Sequence, residues 1–150
     1  HLFILPGAIM AALGAVISLL VLFQVHIFGR SWDLHTMIAG ALLTIIGTQI
    51  VALGLAAHAY GKYFMGERDA WFDRMRDRFQ LEHGLLLGGG IALVGLVLGV
   101  VIVAEWFSRD FAALSEQRLA VAAATLLIVG VQVFFSSFLL SILGLRRDDR

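Results

Sequence analysis

Five arginines, Arg74, Arg76, Arg78, Arg146 and Arg147, are the side chains of this sequence best suited to hold a charged group. A guanidinium presents five N–H donors in a planar fork that matches phosphate oxygens. Three of them fall in one polar stretch, Lys62–His83, KYFMGERDAWFDRMRDRFQLEH, which holds five of the eleven Lys/Arg and five of the eleven Asp/Glu residues. At about 100° per residue, Trp71, Phe72, Met75 and Phe79 share an arc of roughly 100°, with Arg76 and Arg78 on its shoulders and Asp73 and Asp77 pointing away. That pattern predicts a surface helix over about 69–81. The four large apolar side chains would anchor it in the interface, and the arginines would reach lipid phosphates. Arg146 and Arg147 would join them from the tail.

Two amides lie inside apolar runs, Gln49 and Gln132. In hydrocarbon an amide needs a hydrogen-bond partner, so the pair reads as an interhelical contact. Five histidines are scattered at the ends of apolar runs, and none forms an HxxxH or HExxH pair. His58 with His83 is the one pair at a common depth that would suit haem, and no metal site is expected. Glu105 falls at the end of an apolar run, next to Trp106, where it reaches water. No Ser-His-Asp arrangement, phosphate-cradling glycine loop or paired carboxylate is present, and no catalytic residue is assigned. Without cysteine, thiol chemistry and thiolate metal sites are excluded.

Four long apolar segments must position these groups. Of the 150 residues 60% are hydrophobic and only 15% charged, and the mean hydropathy is +0.92. A typical soluble domain is about a quarter charged. A net charge of zero gives no basis for binding nucleic acid. The fold expected is an all-α membrane protein with transmembrane helices over residues 2–28, 36–61, 84–107 and 118–145. Each has the roughly 20 residues needed to cross about 30 Å of hydrocarbon. Eight Lys/Arg fall on the side of the 62–83 stretch and the tail and three on the other, which predicts that both termini are cytoplasmic.

Within the second segment Gly40, Gly47, Gly54 and Gly61 recur every seven residues and so form one helical stripe for close packing. In the fourth, Ala123, Gly130, Ser137 and Gly144 match them at an offset of 83, as Gln132 matches Gln49. The third segment echoes the first at an offset of 81, with Gly88 and Gly95 on Gly7 and Gly14. The expectation is two hairpins repeated in parallel, with the surface helix between the second and third spans.

Several stretches then carry a resemblance: LFILPG (Leu2–Gly7), WDLHTMIAGALL (Trp32–Leu43), IGTQIVALGL (Ile46–Leu55), LEHGLLLGG (Leu81–Gly89) and SSFLLSILGLRR (Ser136–Arg147). Together they resemble the C-terminal transmembrane region of bacterial family-2 glycosyltransferases, the group similar to dolichol- and polyprenyl-phosphate sugar synthases. The resemblance implies a cytosolic catalytic domain upstream of residue 1. That domain would use a divalent metal, Mg or Mn, to move a sugar from a nucleotide sugar to a polyprenyl phosphate with inversion. It also implies residence in the bacterial inner membrane. The present chain would be the membrane anchor that presents the lipid acceptor, with a possible homo-oligomer. The alternative is a non-catalytic small membrane subunit that assembles with larger partners.

Overall fold

A computed structural model of the protein describes residues 3–24, 33–65, 81–108 and 117–145. Among them are four α-helices and no strand: α1 (Ile4–Leu22), α2 (Leu34–Met65), α3 (Leu81–Ser108) and α4 (Gln117–Leu145). All four are long and apolar enough to cross a membrane. At 1.5 Å per residue α2 is about 48 Å long, so it extends past the hydrocarbon at one end.

The helix ends differ from the hydropathy boundaries. Hydropathy extends the first span to Phe28, but α1 stops at Leu22. There Phe23 donates its N–H to Leu19 O (3.0 Å) and Gln24 donates to Val21 O (3.2 Å). Gln24 has φ 53°, the left-handed conformation that closes many helices and that glycine usually supplies. An apolar run records where the chain is comfortable in lipid, not where its helix ends. At the start of α2, the carbonyl of Asp33 accepts from the N–H groups of Thr36 (3.0 Å) and Met37 (3.3 Å). Asp33 thus occupies the N-cap position, where aspartate is favoured and its charge complements the helix dipole. The surface helix expected over 69–81 lies outside the described residues apart from Leu81, which opens α3.

The helices form two antiparallel hairpins, α1–α2 and α3–α4, joined chiefly where α2 packs on α4. Small residues line the seams. Gly7, Gly14, Gly40, Gly47, Gly54, Gly88, Gly95 and Gly130 are buried, with Ala41, Ala59 and Ala123. Large apolar side chains point outward, such as Phe23 at 73% and Leu86 at 75% exposed. At most 22% of any span is buried within the protein. This is the arrangement lipid favours: acyl chains solvate leucine and phenylalanine, while close van der Waals contact between backbones holds helices together.

The two seams match position by position. A Cβ added at Gly7 would meet Gly47 O and Val51 N, each at 3.0 Å, and one added at Gly88 would meet Gly130 O at 2.9 Å and also Phe134 N. Gly47 lies against Ala11, and Gly130 against Ala92. Gly14 faces Gly40 and Thr44, whereas Gly95 faces Ala123 and Leu127. Every one of these pairs is related by offsets of 81 and 83. The match ends where Ser18 meets Gly40 in the first hairpin: the corresponding residues of the second are Gly99 and Ala123, and a Cβ at Gly99 would meet nothing within 4 Å.

Candidate functional site

The polar groups inside the span cluster at the seams. Four hydroxyls on α2 and α4 are satisfied within their own helices. Thr44 donates to Gly40 O (2.9 Å), Thr48 to Thr44 O (2.8 Å), Thr125 to Val121 O (2.7 Å) and Ser137 to Val133 O (2.8 Å). Such back-bonding lets a hydroxyl sit in hydrocarbon at small cost. Ser18 is the exception. Its Oγ is buried against the Gly40 position and has no hydrogen-bond partner among the described residues. An orphaned hydroxyl is destabilising, so Ser18→Ala is expected to leave stability unchanged or raise it by about 1 kcal/mol. Unfolding of the variant in mixed detergent micelles measures this, and a clear loss of stability would show that the hydroxyl has a partner after all.

The amides of Gln49 and Gln132 meet across the α2–α4 contact, with Gln132 Nε2 donating to Gln49 Oε1 at 3.0 Å. The two are not equally placed. Gln132 is half-buried and its own Oε1 is buried without a partner among the described residues, whereas Gln49 lies on the exposed side. At one end of the hairpins the half-buried Arg118, in the first turn of α4, reaches the last turn of α1 and donates Nη1–H to Val21 O at 3.4 Å. A cation there complements the negative end of the α1 dipole. These two residues are 97 positions apart. Neither periodicity nor motif links them, which is why sequence reasoning missed the contact.

Of the expected packing residues, Gly40, Gly47 and Gly54 all face α1. Gly54 lies against Ile4 and Phe3, Gly130 against Ala92, and Ser137 against Gly84. Gly61 continues α2 and Gly144 lies in the last turn of α4. The anchors Trp71, Phe72, Met75 and Phe79 and the arginines Arg74, Arg76, Arg78, Arg146 and Arg147 lie outside the described residues. His58 is half-buried on α2, His83 is exposed on α3, and no three His, Asp or Glu side chains converge among the described residues. The divalent metal implied by the resemblance therefore finds no donor set among them.

Four lipid-facing helices held by glycine seams, with a polar contact between hairpins, define a helical membrane-spanning domain. Residues 55–144 match the family described as the glycosyltransferase family 2 C-terminal transmembrane region, and the chain belongs to that family. It is also similar to the low-salt glycan biosynthesis hexosyltransferase Agl6 of Haloferax volcanii, with 31% identity over 144 residues. That alignment covers 96% of this chain and 35% of Agl6, so the chain spans about a third of the relative's length. No solved structure matches.

Proposed function

We propose that this domain anchors a hexosyl-transferring enzyme in the membrane and presents a polyprenyl phosphate acceptor to its catalytic domain. The observation that carries the reading is the similarity along nearly the whole chain to a hexosyltransferase almost three times as long. In this division of labour, the membrane part holds the lipid. The chemistry, transfer from a nucleotide sugar with the help of a divalent metal, belongs to a domain preceding residue 1. The excess of Lys/Arg around 62–83 and 146–150 puts both termini on the cytoplasmic side of the cytoplasmic membrane. Arg74, Arg76, Arg78, Arg146 and Arg147 are then at the level of the acceptor's phosphate, with Arg76 and Arg78 flanking the aromatic arc of Trp71, Phe72 and Phe79. The matched seams and the pairing of Gln49 with its counterpart at an offset of 83, Gln132, support an origin of the two hairpins by internal duplication.

The test is sugar transfer by the complete protein to polyprenyl phosphate in membranes. Arg76→Gln with Arg78→Gln is expected to lower it about 10-fold or more, from two lost charge-assisted contacts. Transfer from the same donor to a soluble acceptor should be unaffected. Full transfer to the lipid after both substitutions would rule out the role given to these arginines.

A further inference from the structure

We propose that the exposed face of α2 centred on Gln49 is a contact between two copies of this chain. Gln49 lies close to the midpoint of the Leu34–Gly61 span, at the depth where lipid offers no hydrogen-bond acceptor. Its Oε1 accepts from Gln132, but among the described residues its Nε2 donates to no protein group. An amide N–H left against acyl chains is costly, so the group that covers this face carries an acceptor. Leu42, Ile46, Gln49 and Leu53 follow one another at four, three and four residues, the spacing of one helical face, and all four are exposed. That face is a lipid-accessible seam with one polar residue at its centre.

The chemistry of the amide selects a second copy as the occupant. Copies inserted with the same orientation are related by an axis along the membrane normal, so a symmetric contact brings each residue to its own counterpart at the same depth. Gln49 would then meet Gln49. Each Nε2 can donate to the lone pair on the other's Oε1 that Gln132 leaves free, so the amides satisfy one another reciprocally. The glycine stripe on the opposite side of α2 is already filled by α1, which leaves this seam as the face of α2 open to a partner.

The chain carries no cysteine, which makes cross-linking clean. Single cysteines would be placed at Leu42, Ile46 and Leu53 on the seam, and at the exposed Leu93 and Val97 of α3. The complete protein would be used, with any cysteine outside residues 1–150 replaced. Oxidation in lipid vesicles is expected to give a species of twice the mass from the α2 positions and not from α3. Dimerisation followed by energy transfer as the protein is diluted in lipid should weaken roughly 3-fold to 20-fold in Gln49→Leu, in line with interhelical hydrogen bonds in membranes. Gln132→Leu removes the same bond within the chain but keeps the Gln49 amide, and should dimerise as the unsubstituted protein does. Equal weakening by the two variants would mean that the amide acts only inside one chain, and would overturn the proposal. So would monomers at every dilution, cross-links without preference for the α2 face, or adducts in native membranes with a protein of another mass.

Discussion

Gly47→Ala is expected to destabilise the protein by about 2 kcal/mol and Gly47→Val by more, both through the α1–α2 seam. A Cβ at Gly47 would fall 2.7 Å from Gly7 O and 2.8 Å from Ala11 Cα. Those are backbone atoms of the neighbouring helix, so no side chain can swing aside. The helices must separate, and separation loses the dispersion contacts of the whole seam, which is what holds helices together in lipid. Gly130→Ala is expected to cost a similar amount, because its added Cβ would lie 2.6 Å from Ala92 Cα. Gly90 supplies the control. Nothing lies within 4 Å of a Cβ there, so Gly90→Ala should be neutral, or stabilising by up to about 1 kcal/mol through helix propensity. Unfolding in mixed micelles at increasing denaturing detergent would rank the variants. If Gly47→Ala and Gly90→Ala behaved alike, the close approach would not be what holds the hairpin.

How much of this could be read from the residues depended on whether the signal was local. Four membrane helices followed from composition and length, because each apolar run is long enough to cross the hydrocarbon and almost free of charge. The heptad of glycines in α2 could be read as a packing stripe, but not which helix it would meet. That depends on the antiparallel turn of the hairpin, and it proved to be α1 within the same chain. Helix ends were less legible. The left-handed Gln24 that closes α1 carries no glycine signal, and Asp33 opens α2 three residues ahead of the apolar run that marked it. The Arg118–Val21 contact depends on how one hairpin leans on the other, which no pattern within a segment encodes. The arginines and aromatics of 71–79 follow from local periodicity alone, so their part in binding lipid is a matter for the transfer assay.

Gln49→Leu alone is expected to be more damaging than Gln49→Leu combined with Gln132→Leu. The reason lies in the unequal burial of the two amides. Gln132 is half-buried, its Oε1 already lacks a partner, and its Nε2 depends on Gln49. Removing Gln49 leaves the whole amide of Gln132 unsatisfied between helices, at a cost of about 1–3 kcal/mol. Gln132→Leu alone leaves the remaining amide on the exposed side of α2, where it can still pair with a second copy of the chain, and should cost about 0.5–1.5 kcal/mol. The double variant has no polar group left to satisfy. Two leucines of similar length fill the contact, and the loss falls to about 1 kcal/mol or less, the usual net worth of an interhelical hydrogen bond in a membrane. A double-mutant cycle on unfolding in mixed micelles reads the coupling directly. The double variant should be more stable than Gln49→Leu by a measurable margin. If it were less stable, with the two losses simply adding, the amides would be acting independently, and the α2–α4 contact would rest on apolar packing alone.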